Sequence, residues 1–271
     1  METTRKIKFE SYGFSKRLKS MLAVDFRRMF TMPLFYIMVG VCFVIPILIL
    51  VMTTIMDGTT TVDPNTGVET TIEGFDNTWQ AIGSVSSENR IMDMSLTGMC
   101  NINMLYFFVA VLVCIFVSDD FRSGYSKNLF TVRAKKSDYV ISKTLVGFVG
   151  GVCMILGFFV GAMIGGAISG LPFDTGTAGT YGVVMCMLAK MFLVAVFVPI
   201  YLLMGVVAKQ KLWLSIIGSL MTGMLFFTMI PMLTPLDSGI MNVILCLAGG
   251  TLFSIGIGAI SNKILRKTSL V

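Results

Sequence analysis

Six stretches of mostly apolar residues, near 33–56, 96–117, 144–169, 182–208, 212–233 and 240–261, fix what this chain can fold into. Each is close to the roughly 20 residues that an α-helix needs to cross a hydrocarbon layer roughly 30 Å thick. Of the 271 residues, 55% are hydrophobic and 13% charged, a mixture that no water-facing surface absorbs. The sequence therefore predicts an all-α membrane protein with six transmembrane helices in residues 33–261, a preceding segment 1–32 and a tail 262–271. Residues 1–32 are too long and too charged for the start of a signal peptide, and no small-residue cleavage site follows the first apolar block. That block is expected to stay as a membrane anchor.

Charge sets the orientation, because Lys and Arg near span ends stay on the cytoplasmic side. Apart from Arg90 and Lys190, every basic residue falls in residues 5–28, in the loop 118–143, in the turn with Lys209 and Lys211, or in the tail with Lys263, Arg266 and Lys267. Six crossings put all of these segments on one side, so both termini are expected in the cytoplasm. The loop 57–95 carries Asp57, Asp63, Glu69, Glu73, Asp76, Glu88 and Asp93 against Arg90 and is the expected outer loop. The net charge of +6 is thus scattered over short segments, the wrong distribution for a nucleic-acid surface.

Much chemistry is excluded. The chain has no histidine, which removes the usual general base and the usual zinc ligand. Cys42, Cys114, Cys153, Cys186 and Cys246 lie inside apolar stretches and Cys100 at the edge of one, without CxxC spacing, so they read as small buried hydrophobes. The spans hold no Asp or Glu to carry a coupling ion, and no metal-ligand cluster or catalytic residue is expected.

Before the first span, Leu18, Met21, Leu22, Phe26 and Met29 recur at helical spacing opposite Lys16, Lys19, Arg27 and Arg28. This pattern predicts an amphipathic interfacial helix, either an elbow resting on anionic lipid or a partner contact. In the outer loop, β-branched runs flank Asp63-Pro64-Asn65-Thr66-Gly67, the chemistry of a small hairpin.

Within the spans, Gly157, Gly161 and Gly165, and likewise Gly250, Ser254 and Gly258, form small-residue stripes for close helix packing, inside one bundle or at a moving seam. Lys190 is the basic residue inside a span; it either snorkels to the outer surface or contacts an anionic substrate or counter-charge. Asn101 and Asn103 fit either a wet cavity, and so a translocation path, or the headgroup layer. Pro46 and Pro199 are expected to kink their helices.

The loop Ser118–Lys143 is too long for a plain turn between two spans. Asp119 and Asp120 open it, where carboxylates favour a helix N-terminus, and Phe121, Tyr125, Leu129 and Phe130 make one apolar face of a short helix lying across the membrane surface. That face either rests on the bundle or fits a groove on a soluble partner.

Asp120, Phe121, Gly124, Lys127, Asn128 and Leu129, followed by Arg133, Tyr139 and Lys143, resemble the coupling loop of type 2 ABC exporter permeases. Tyr125 and Ser126 depart from the small residue and the Thr or Ile that usually follow the glycine. The order of amphipathic helix, outer loop, coupling loop and two further hairpins resembles the same family along essentially the whole chain. The resemblance implies a permease subunit that forms the translocation path, lies in the bacterial plasma membrane as a multi-pass protein, and pairs with a second permease, identical or similar. It also implies that ATP and Mg are bound by a separate ABC-type ATPase, and no GxxxxGK[ST] phosphate loop occurs in this chain. The alternative from another class is a membrane scaffold or immunity-type protein that binds a partner through its outer loop.

Overall fold

A computed structural model describes residues 13–62, 69–71, 74–83, 101–132, 135–176, 179–227 and 229–267. The first helix, α1 (Phe14–Thr31), buries Met21, Asp25 and Met29 at four-residue intervals, while Lys16, Lys19 and Arg27 stay exposed. Met32 is extended and Pro33 opens α2 (Pro33–Met56), where its missing N–H would have had no helical acceptor.

Beyond α2, strands β1 (Thr60–Val62) and β2 (Glu69–Thr71) pair antiparallel with Thr61 opposite Thr70, while the turn expected at Asp63–Gly67 lies outside the described residues. Residues 74–83 fold back on the bundle and bury Phe75, Trp79, Ala81 and Ile82. Trp79 stacks on Phe159 and meets Phe173 edge-on.

The remaining helices are α3 (Leu105–Arg122), led by a 3-10 turn at Ile102–Met104, α4 (Tyr125–Val132), α5 (Lys136–Ser169), α6 (Gly179–Ala208), α7 (Leu212–Phe227), α8 (Met229–Leu233) and α9 (Ile240–Lys267). Among the described residues, five helical stretches are long and apolar enough to cross a membrane: α2, α3 with its leading turn, α5, α6 and α9. The fifth expected span, 212–233, is helical at Leu212–Phe227 (α7) and Met229–Leu233 (α8), and residue 228 between them lies outside the described residues. Helices α5 and α9 outrun their apolar blocks, reaching back to Lys136 and on to Lys267. Lys and Arg are good helix formers, so a helix that has left the apolar layer does not stop there.

The broadest helix contacts are α6 on α9 and α2 on α5. Gly157, Gly161 and Gly165 lie in the second of these seams and Gly250 and Ser254 in the first, while Gly258 faces Val140 of α5. A Cβ at Gly165 would come within 2.8 Å of Ile47 Cα in α2, and one at Gly250 within 2.7 Å of Ala195 Cβ in α6. Both stripes therefore pack helices of the same chain.

Pro199 has no N–H for the carbonyl of Ala195, four residues back in α6. The Ser254 hydroxyl of α9 donates to that carbonyl at 3.2 Å. Ser254→Ala is expected to lower stability by about 1 kcal/mol, the net worth of a part-buried hydrogen bond, read as an earlier unfolding midpoint in detergent.

One end of the bundle gathers both ends of the described chain. Arg17 of α1 donates to Asp138 in the first turn of α5 at 3.0 Å, and Lys136 donates to the Leu265 carbonyl near the end of α9 at 2.5 Å. The N-terminal helix, the start of α5 and the last turns of α9 share that end.

Candidate functional site

At this end the chain gathers four charges in one cluster, three of them buried and that of Arg28 half-buried. Asp25 lies on the apolar stripe of α1, Arg28 one turn further on, Asp120 in the last turn of α3 and Lys143 two turns into α5. Lys143 Nζ is 2.9 Å from Asp25 Oδ1 and 2.7 Å from Asp120 Oδ2. Arg28 Nη1 is 2.5 Å from Asp120 Oδ1, and its Nη2 reaches the exposed Asp119 at 3.4 Å. The Tyr139 hydroxyl donates to Asp120 Oδ2 at 2.9 Å and the Ser142 hydroxyl to Asp25 Oδ2 at 2.6 Å. Asp25 and Asp120 have no exposed surface and Lys143 keeps 1%.

Two buried carboxylates thus face one ammonium and one guanidinium, and the cluster is balanced. Aromatic faces complete it: Lys143 Nζ stands 3.8 Å from the centre of the Phe116 ring, and Arg28 Cζ 4.2 Å from that of Tyr125. Burial lowers the Arg28 pKa, but the charge of Asp120 and its hydrogen bond, with Tyr125 and Asp25, outweigh this and leave it above the ordinary value. Burial first, then Asp25 and Asp120, raise the Tyr125 pKa, so its ring meets Arg28 as a neutral phenol.

Asp119 and Asp120 therefore do not start the loop helix. They end α3, where a carboxylate opposes the helix dipole, and the cations from α1 and α5 offset that cost. Gly124, at φ +73°, supplies the left-handed turn that separates α3 from α4. Phe121 is buried and Leu129 and Phe130 half-buried, so the apolar face of α4 rests on the bundle, Phe130 edge-on to Tyr139. The opposite face shows Lys127, Asn128 and Thr131 to solvent.

The sequence-derived loop residues thus divide in two. Asp120, Phe121, Tyr139 and Lys143 converge inside; Lys127 and Asn128 point outward; Arg133 lies outside the described residues. Asp25, Arg28, Phe116 and Ser142 complete the cluster and were not selected from the sequence. Asp25 had a legible signal: a carboxylate midway between Met21 and Met29 on an apolar stripe needs a buried cation.

A second polar site lies deeper. Lys190 of α6 is fully buried and does not snorkel. Its Nζ donates to Asn103 Oδ1 at 3.0 Å and to Thr234 Oγ1 at 2.8 Å, and no carboxylate among the described residues pairs with it. The Tyr106 hydroxyl donates to the Lys190 carbonyl at 2.9 Å. Asn103 joins Lys190, whereas Asn101 uses its side-chain oxygen to accept the Asn103 N–H at 3.0 Å. No group of three or more metal-ligating side chains occurs among the described residues.

Long apolar helices, with a short helix resting across one end of the bundle and charges locked beneath it, describe a multi-pass membrane protein. The family model of ABC-2 family transporter proteins matches residues 27–230, and the chain belongs to that family. It is a permease component of an ABC transporter, not itself an enzyme. The matched region contains α2 through α7, with Arg28, Asp120 and Lys143 of the ionic cluster and Asn103 and Lys190 of the second site; Asp25 and Thr234 lie just outside it. No curated protein and no solved structure matches the chain. Membership of a transporter family favours transport over the scaffold alternative.

Proposed function

We infer that the chain is the membrane-spanning subunit of an ATP-driven exporter in a bacterial plasma membrane, crossing six times with both termini in the cytoplasm. ATP and Mg are held by a separate ABC-type ATPase, and a second permease, identical or similar, completes the path. The observation that carries this reading is the ionic cluster. It ties α1, α3 and α5 together directly beneath α4, so a load on the exposed face of α4 reaches two spans and the interfacial helix at once. Such a rigid group is what a two-state rearrangement of helices requires of its input end.

Lys127 and Asn128 are the proposed contacts with the ATPase, because they are exposed and lie outside the cluster. Co-purification tests this. Lys127→Glu is expected to reduce recovery of the ATPase at least several-fold while leaving the yield of inserted permease unchanged, as charge reversal at a contact rim weakens docking without unfolding either partner. Undiminished recovery from Lys127→Glu combined with Asn128→Ala overturns the assignment. The permease purified alone is expected to hydrolyse no ATP.

Lys190, Asn103 and Thr234 are proposed as a point on the path where the acidic group of a cargo molecule is met. The reason is energetic: among the described residues the buried ammonium has only neutral acceptors and no counter-charge to offset its desolvation.

A further inference from the structure

An apolar groove of about 580 Å³ opens on the lipid-facing side where α1, α2 and α5 meet. Phe30 closes its α1 end, Tyr36, Gly40 and Phe43 form one wall, and Cys153 and Gly157 form the other. Its volume lies within the roughly 300–1,000 Å³ of small-molecule sites. Tyr36 is 60% exposed and Gly40 is also open, so the groove faces whatever surrounds the bundle. It runs from the elbow, where the charged helix ends, along α2 toward the middle of the apolar layer.

The charges at its wet end decide the occupant. Arg27 lies one turn before Phe30, on the same side of α1, and is exposed. It makes no ion pair with a described residue, unlike Arg28, whose guanidinium is spent on Asp120 and Asp119. A guanidinium without an ion pair among the described residues, at the level of the interfacial helix, a phenol at Tyr36 and an apolar trough beneath them match a molecule with an anionic head and an acyl chain. We propose that this groove is a binding site for an anionic phospholipid, its phosphate on Arg27 and one chain laid along Tyr36, Gly40 and Phe43. The site is distinct from the cargo path and binds lipid as a structural partner of the elbow. It holds α1 against α2 and α5, and the ionic cluster likewise joins α1 to α5.

The test uses the full-length permease released from mixed micelles and weighed intact with its bound lipid, with phosphatidylglycerol and phosphatidylcholine of identical chains as probes. Wild type is expected to retain phosphatidylglycerol over phosphatidylcholine. Arg27→Gln is expected to cut that preference about fivefold, the equivalent of about 1 kcal/mol for one basic group at a membrane surface. Gly40→Phe fills the groove and is expected to abolish retention of both lipids; a Cβ at Gly40 meets no atom within 4 Å, so the fold accepts the change. Lys19→Gln, on the same helix but away from the groove, is expected to retain lipid as wild type does.

Equal losses from Lys19→Gln and Arg27→Gln would reduce the effect to diffuse surface charge and overturn the proposal. So would unchanged retention in Gly40→Phe, or efficient disulfide cross-linking of Gly40→Cys between two copies in native membranes, which would give the groove to a second permease.

Discussion

Lys143→Met is expected to deplete the folded protein, because it leaves Asp25 and Asp120 buried with Arg28 as their one remaining cation. Removing one partner of a buried ion pair costs about 3–5 kcal/mol, a large share of the roughly 5–15 kcal/mol by which a domain is stable. The variant should run as a broad, aggregating species in detergent, with its unfolding midpoint sharply lowered. A charge-balanced double variant separates this effect from simple loss of packing. Asp25→Asn with Lys143→Met removes one anion and one cation and keeps the Arg28–Asp120 pair, so it should recover most of the lost stability. Single effects that merely add in the double variant would show that the four charges do not act as a unit. The recovered protein is also informative about coupling, since α1 would no longer be tied to α5 through Asp25. Its ATPase rate in the reconstituted complex should become insensitive to cargo.

The second large effect is expected at Lys190, with opposite signs for stability and transport. Lys190→Met keeps the length of the side chain and removes a buried ammonium whose described partners, Asn103 and Thr234, are neutral. Replacing a buried charge by an apolar group of similar volume is often neutral or stabilising. The unfolding midpoint of Lys190→Met should therefore stay the same or rise, while Asn103→Leu, which strips an acceptor from the retained ammonium, should lower stability by about 1–3 kcal/mol.

Transport by the reconstituted complex should fall roughly 10- to 100-fold in Lys190→Met for a fluorescent acyl amino acid with a free carboxylate. That factor corresponds to the loss of a charge-assisted hydrogen bond of about 1.5–3 kcal/mol. The amide of the same probe should be carried equally by both proteins. If the carboxylate and the amide lose transport to the same extent, Lys190 is part of the scaffold and meets no cargo.

Several parts of this architecture were legible before any coordinates. The apolar stretches at 33–56, 182–208 and 240–261 appear as α2, α6 and α9 because a run of that length and polarity has one inexpensive state in lipid, the helix. The stripe of Leu18, Met21, Leu22, Phe26 and Met29 gave α1, since periodicity is a local property. The surface helix of the loop was expected from Phe121, Tyr125, Leu129 and Phe130, and α4 forms there, but its start was misplaced. Asp119 and Asp120 looked like N-terminal residues of the next helix because their partners, Arg28 and Lys143, lie 91 and 23 residues away or more, beyond the reach of any local rule.

What the sequence determined by itself was the solvent, the helical state and the approximate lengths of the spans, because each follows from the polarity of neighbouring residues. Only the tertiary structure decided that Lys190 is enclosed by Asn103 and Thr234 instead of reaching outward, and that Asp25, Arg28, Asp120 and Lys143 share one buried site. A charge buried in a bundle is tolerated only where distant segments bring it a partner, and which segments meet is set by how the helices pack.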